Sequence, residues 1–254
     1  MMGEYGNPKH IKGSNTLKEI NLLSVVIAML VVLLTGCNDK KEASEGEDNL
    51  KVYSSGDKIY YSGEISQSGY EEFKALLSDN IVTLVINSSG GDIVPGMAMG
   101  ELVFEKKLNV QVQDYCLSSC ANYIFPAGKT KYLAKGSQLG WHGGATQSFS
   151  DEIVPEKTED RQRFIELLTG LIQQENAFFK KIKVNQLVTT YGQAAEKHLE
   201  VLKAHKMNCA GWSYTVDGLA AFGINNVVLK DGQWEPSSTY KDSCIHHFDM
   251  VTIR

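Results

Sequence analysis

A continuous apolar run from Ile81 to Ile86 does most to constrain the fold. It reads Ile-Val-Thr-Leu-Val-Ile and is β-branched at most positions. Such a run is typical of a strand buried on both faces, as in a parallel sheet covered by helices. Turn residues follow from Asn87 to Gly91, and a helical pattern follows from Val94 to Lys107. The order strand, helix, strand, helix, strand predicts an α/β fold with right-handed crossovers.

The other elements follow from the same periodicities. A helix is predicted from Ser68 to Leu77, with Ser68 as its cap. In the helix at Val94 to Lys107, we expect Met97, Leu102 and Phe104 to face inward. A long helical stretch is predicted over 157–207, with Phe164, Leu167, Leu168, Leu171 and Ile172 on one face and Phe178, Phe179 and Ile182 continuing it. Short strands are predicted near 58–65, 110–113, 131–133, 138–141 and 224–229, and the last twenty residues carry no prediction.

Residues 1–36 have the features of a signal peptide. The apolar run from Leu22 to Leu34 is too short for a comfortable membrane span and follows a basic start. It ends in Leu34-Thr-Gly-Cys37, which resembles the lipobox of bacterial lipoproteins. That resemblance implies cleavage before Cys37 and lipidation of Cys37; an uncleaved signal anchor is the alternative. Both place the chain in the bacterial cell envelope, held at a membrane and facing the periplasm or the exterior.

The charged stretch 37–50 predicts a disordered tether, because it holds too little apolar surface to order itself. Residues 51–254 are then the right length for one domain with a substantial core. The net charge of −5 gives no support for nucleic-acid binding.

Four cysteines lie in the predicted domain, and in an oxidising compartment they permit two disulfides. They allow three pairings. We favour Cys116–Cys120 and Cys209–Cys244, because each pair is close in sequence or shares the C-terminal segment. A zinc site is the competing interpretation, and the lack of a CxxC pair disfavours it. We therefore predict no metal.

Three motifs carry the residue types of serine-type acyl transfer. Gly90-Gly91 can aim backbone N–H groups at an oxyanion, the serine pair in Cys-Leu-Ser-Ser-Cys can supply a nucleophile, and His142 in Leu-Gly-Trp-His can supply its base.

The same motifs resemble segments of the Clp protease proteolytic subunit. The matching stretches are Ile86–Ala98, Ser119–Gly128, Leu139–His142, the opening strand at 58–65 and, more weakly, 215–226. The resemblance is closest to the periplasmic, Clp-like branch of the Clp/crotonase superfamily. It implies a spiral of ββα units whose mostly parallel sheet is flanked by helices.

Carried over by residue, the resemblance implies Ser119 as nucleophile and His142 as general base. The N–H groups of Gly91 and Cys120 would then form the oxyanion hole. Ser118 is the alternative nucleophile; Ser119 is preferred because Cys120 and Ala121 then occupy the family's positions after the serine.

The third catalytic residue stays unassigned. Gly211 stands where the family has an aspartate. Asn208 lies near in sequence and is able to orient an imidazole, whereas Asp217 is better explained by a helix start.

The resemblance implies a membrane-anchored extracytoplasmic serine hydrolase, a peptidase acting on peptide or protein substrates without a cofactor, which can form homo-oligomers. The missing acid favours an alternative, a catalytically inactive Clp-like lipoprotein that binds a peptide or protein partner. Acyl-CoA chemistry of the crotonase type is disfavoured by the export signal. A serine–lysine pair using Lys129 or Lys131 is disfavoured because the His142 motif fits better.

Overall fold

A computed structural model describes residues 50–147, 154–155, 157–194, 209–249 and 251. The predicted signal peptide, Cys37 and nearly all of the predicted tether lie outside the described residues. Within the described ranges, no helix is both long enough and apolar enough to cross a membrane.

Two sheets and a set of mainly short helices make up the described part of the chain. The strands are β1 (Lys51–Ser55), β2 (Lys58–Ser62), β3 (Thr83–Ser88), β4 (Asn109–Leu117), β5 (Lys131–Leu133), β6 (Gln138–Gly140), β7 (Gly211–Tyr214), β8 (Val227–Leu229), β9 (Thr239–Tyr240) and β10 (Ser243–Phe248). The α-helices are α1 (Gln67–Leu76), α2 (Ile93–Glu105), α3 (Phe125–Ala127), α4 (Thr158–Ile182), α5 (Tyr191–Ala194) and α6 (Val216–Ala221). A π-helix spans Cys120–Ile124 and a 3₁₀-helix spans Gln186–Thr189.

The larger sheet has the strand order β1-β2-β3-β4-β5-β8, and β6 also pairs with β4. Only β1 and β2 are antiparallel; every other pair in this sheet is parallel. Helices flank it, so the prediction of a mixed α/β fold with a mostly parallel sheet is confirmed. At its centre, every residue of β3 except Asn87 is buried, which accounts for its three successive apolar residues Leu84, Val85 and Ile86.

Helix α1 is capped two residues earlier than predicted. Ser66 is extended and its Oγ accepts the N–H of Gly69 at 3.2 Å, whereas Ser68 lies inside the first turn. Both serines precede an apolar pattern, and only the backbone conformation decides which one is the N-cap.

Helix α2 buries its small residues rather than all its large ones. Met97 is buried as predicted, but Phe104 is 37% exposed and that prediction was wrong. A Cβ on Gly100 would overlap the backbone of Tyr123, so the face with Gly100 and Val103 makes the close contact. Phe104 lies about 100° further round the helix from Val103.

Helix α4 contributes to the core mainly through its C-terminal half. Phe178, Phe179 and Ile182, which continue the predicted apolar face, are buried, but Leu167 in the first half is 43% exposed. The helix ends at Ile182, and its C-cap Lys183 takes the left-handed conformation (φ +60°). The rest of the predicted helical stretch is the 3₁₀-helix and α5, and residues 195–207 lie outside the described residues.

The smaller sheet has the order β7-β10-β9. Strands β7 and β10 are parallel, and β9 and β10 are antiparallel. Trp141 and Trp212 join the two sheets through a pair of backbone hydrogen bonds of 2.8 Å each. The predicted disulfides Cys116–Cys120 and Cys209–Cys244 are both confirmed.

Candidate active site

The candidate site is centred on the turn where β4 becomes the π-helix. Ser118 occupies this turn with φ +52°, a conformation that is uncommon for residues other than glycine. Its N–H donates to the carbonyl of Gly140 and its carbonyl accepts the N–H of Asn122, each at 2.8 Å. The main chain of Ser118 is therefore held on both sides. Rare backbone conformations of this kind cluster at functional sites.

His142 directly faces Ser118. Its Nε2 lies 2.8 Å from the Oγ of Ser118, a hydrogen-bonding distance. The histidine follows Trp141, whose backbone pairs with the smaller sheet, and the side-chain amide of Gln193 donates to the His142 carbonyl at 3.0 Å. Burial lowers the pKa of His142 below its usual value of 6.5. The ring is therefore neutral at pH 7 and able to accept a proton.

Ser119 points elsewhere. Its Oγ donates to the carbonyl of Gly91 at 2.6 Å, and the side chain is 2% exposed. The structure thus brings His142 together with Ser118, the alternative nucleophile, and not with Ser119.

The turn that follows the two serines is a π-helix. The N–H of Phe125 bonds to the carbonyl of Cys120, five residues back, so this turn holds one more residue than an α-helical turn. The preference for Ser119 followed from Cys120 and Ala121 occupying the family's positions after the serine. Residue types alone do not report the backbone conformation, and with Ser118 at φ +52° it is the side chain of Ser118 that lies against His142.

The glycine turn after β3 packs against Ser118. Gly90 and Gly91 have φ values of +99° and +139°, which favour glycine. A Cβ on Gly90 would overlap the Ser118 side chain, and a Cβ on Gly91 would overlap the backbone of Ile65. The N–H of Ile65 donates to the Gly90 carbonyl at 2.6 Å, which fixes the turn against the preceding segment.

Three backbone N–H groups near Ser118 have no acceptor. Within the described part of the chain, the N–H groups of Gly91, Ser119 and Cys120 donate no hydrogen bond. Those of Ser119 and Cys120 are among the first of the helix, which lack intrahelical partners. Because Ser118 is the serine that faces His142, the residue directly after it is Ser119 rather than the predicted Cys120. Cys120 opens the π-helix and its side chain is held in a disulfide.

Glu175 supports the segment after His142, and sequence analysis did not find it. Its side chain is fully buried and accepts hydrogen bonds from the hydroxyl of Tyr123 (2.6 Å), the N–H of Ala145 (3.0 Å) and the amide of Gln186 (2.6 Å). The signal was present in the sequence: Glu175 precedes Phe178 by three residues, and a carboxylate on an apolar helical face needs partners.

Asn122 also holds this segment, since its side-chain amide donates to the Gly143 carbonyl at 2.7 Å. The segment directly after His142 is therefore held from the π-helix and from α4 together.

The described residues supply no carboxylate partner for His142. A Cβ on Gly211 would lie 3.6 Å from the Cβ of His142, but it would overlap the carbonyl of Trp141. The position is adjacent to the histidine and has room only for glycine. Asp217 is exposed in the first turn of α6, whose N-cap is Thr215. Asn208 lies outside the described residues.

No protein-family model and no curated protein sequence matches this chain. The site itself presents a hydroxyl, a neutral imidazole and unengaged backbone N–H groups.

Proposed function

We propose that this chain is an extracytoplasmic serine hydrolase whose nucleophile is Ser118. The observation that carries the proposal is the 2.8 Å distance between the Ser118 Oγ and the His142 Nε2. A serine hydroxyl is a weak nucleophile until a neighbouring base takes its proton, and His142 is both neutral and in hydrogen-bond contact.

The reaction proceeds in two halves. His142 accepts the Ser118 proton as Oγ attacks the substrate carbonyl carbon, and the new oxyanion accepts hydrogen bonds from the N–H groups of Gly91 and Ser119. His142 then gives the proton to the leaving group, which departs and leaves an acyl-enzyme. Water gives a proton to His142 as it attacks the acyl carbon, and His142 returns that proton to the Ser118 Oγ as the acyl–oxygen bond breaks and the carboxylic acid leaves. Each oxyanion donor contributes about 3–4 kcal/mol of transition-state stabilisation in such sites.

The Clp/crotonase-like spiral and a peptide substrate are parts of the same proposal. Along the chain, the glycine turn is followed by the serine turn and then by the segment with His142. The segments of the Clp protease subunit that this chain resembles come in the same order, which supports both parts. Two disulfides favour an oxidising compartment. We extend the proposal to lipidation at Cys37 in the bacterial envelope and to homo-oligomer formation.

The test is labelling of the full chain by a fluorophosphonate probe, followed by peptide mapping. The parent chain should be labelled at Ser118, and Ser118→Ala and His142→Ala should each abolish labelling while the circular dichroism spectrum is retained. Ser119→Ala should keep most of the labelling, because it removes only a hydrogen bond to Gly91. An adduct at Ser119 that persists in Ser118→Ala would refute the assignment of the nucleophile.

A non-catalytic Clp-like lipoprotein that binds a peptide or protein is the second candidate. It is favoured by the absence of a carboxylate beside His142 among the described residues, and by Ser118 being only 6% exposed. A folded parent chain that the probe does not label, but that retains peptides from a random library, would favour this function over hydrolysis.

A further inference from the structure

The Cys116–Cys120 disulfide encloses the residues on which the proposed chemistry depends. Cys116 lies in β4, where it pairs with Ser88 of β3 and Leu139 of β6. Cys120 is the first residue of the π-helix. The crosslink joins two Cα atoms 5.2 Å apart, so it ties the end of the strand directly to the start of the helix. Ser118 lies midway between them.

The enclosed turn is held in a conformation that serine does not favour. Ser118 has φ +52°, and residues with a Cβ leave this region when nothing holds them there. Rotation of Ser118 toward ordinary backbone angles would carry Oγ away from the Nε2 of His142. Cys116 is fixed by two neighbouring strands, so a covalent bond from it to Cys120 restrains both ends of the turn.

The second disulfide serves as a contrast. Cys209 and Cys244 are 35 residues apart, whereas Cys116 and Cys120 are 4 apart. Because a crosslink restrains the unfolded chain more as its loop lengthens, the longer one contributes more to global stability. The short crosslink restrains mainly its own turn.

We propose that the Cys116–Cys120 disulfide is a positioning element that holds the Ser118 hydroxyl against His142. The proposal depends on the hydrolase function proposed above. It predicts that loss of this crosslink lowers the reactivity of Ser118 without a matching loss of fold, and that loss of Cys209–Cys244 does the reverse.

Two double variants of the full chain test this prediction, Cys116→Ala/Cys120→Ala and Cys209→Ala/Cys244→Ala. For each, we would measure the limiting rate of fluorophosphonate labelling, the probe concentration giving half that rate, and the melting temperature. In the first variant the limiting rate should fall at least tenfold, with the half-saturating concentration within about twofold of the parent. In the second, the limiting rate should stay within about threefold of the parent and the melting temperature should fall further than in the first.

Reduction of the parent chain supplies a second measurement that does not require either variant to fold. A dithiol reductant converts each disulfide to two thiols and is itself oxidised to a disulfide; alkylation and peptide mapping then follow each pair separately. The labelling rate should fall in step with free thiols at Cys116 and Cys120, and not with those at Cys209 and Cys244.

The outcomes separate the two proposals. If Cys116→Ala/Cys120→Ala is labelled at the parent rate, the positioning role is refuted and the hydrolase function stands. If the folded, oxidised parent is not labelled at Ser118, the hydrolase function is refuted and the positioning role falls with it.

Discussion

Replacing Glu175 by glutamine should loosen the segment after His142. The carboxylate accepts hydrogen bonds at both oxygens: Oε1 from the Tyr123 hydroxyl and the Ala145 N–H, and Oε2 from the Gln186 amide and, at 3.5 Å, from the Thr146 hydroxyl. A glutamine side chain has nearly the same volume but only one acceptor oxygen. Either orientation therefore presents an N–H group to at least one existing donor.

The magnitude follows from the number of donors left unpaired. Each buried donor that loses its acceptor costs about 1–3 kcal/mol, and Glu175→Gln removes the acceptor from the two donors at one oxygen. We expect the free energy of unfolding to fall by about 2–6 kcal/mol. The labelling rate of Ser118 should fall as well. Ala145 lies three residues after His142, so weakening the hydrogen bond from its N–H to Glu175 loosens the segment that follows the histidine.

Urea unfolding followed by tryptophan fluorescence measures the stability change. Glu166→Gln is the matched control, because Glu166 lies on the same helix, is exposed and, among the described residues, bonds only to Gln162 at 2.9 Å. It should change stability by less than about 0.5 kcal/mol. A Glu175→Gln chain within 1 kcal/mol of the parent, with labelling unchanged, would show that the hydrogen-bond network does not hold the site.

Two further predictions concern the pair of Ser118 and His142. Because burial lowers the pKa of His142, the labelling rate should hold its plateau below pH 6.5 and fall only as the folded-state pKa is passed. The unfolded chain binds this proton at a higher pH than the folded chain. The stability of the parent relative to His142→Gln should therefore decrease as pH falls from 6.5 toward the folded-state pKa. A midpoint of the labelling rate above pH 6.5 would contradict the effect of burial on the pKa. Gly90→Ala should reduce both stability and labelling, because its Cβ would lie 2.7 Å from the Leu117 carbonyl oxygen and overlap the Ser118 side chain. Gly56 also has a positive φ but has open space around it. Gly56→Ala should therefore lower the free energy of unfolding by only about 1–2 kcal/mol and leave labelling intact. Equal effects of the two substitutions would contradict the packing argument.

The parallel sheet could be predicted because its strands are marked locally. The run at Ile81–Ile86 is apolar at nearly every position, and strand β3 lies two residues further along. The strand begins later than the apolar run because Val82 is exposed and precedes the first paired residue. Local composition determines that a buried strand exists there, whereas pairing with β2 and β4 decides where it begins.

The strands β9 and β10 could not be predicted in the same way. They are short and mixed in polarity, and β10 is defined by its pairing with β7, about thirty residues earlier in the chain. Such pairing leaves no periodic signal in the last twenty residues.

The motifs around the candidate site could be found from the sequence, whereas the directions of the two serine side chains could not. Ser118 lies against His142 and Ser119 against Gly91, and this difference depends on the positive φ of Ser118, which no residue pattern marks. Glu175 was missed because its partners come from three separate segments, and only the folded chain brings them together.

The backbone bridge between Trp141 and Trp212 has a consequence for the order of folding. The segment before His142 is secured by β7, and β7 in turn pairs with β10, which ends at Phe248. The turn at Ser118 is made from the first half of the chain, whereas the support beside His142 comes from its last part. The two halves of the candidate site are therefore completed only after the C-terminal strands have paired.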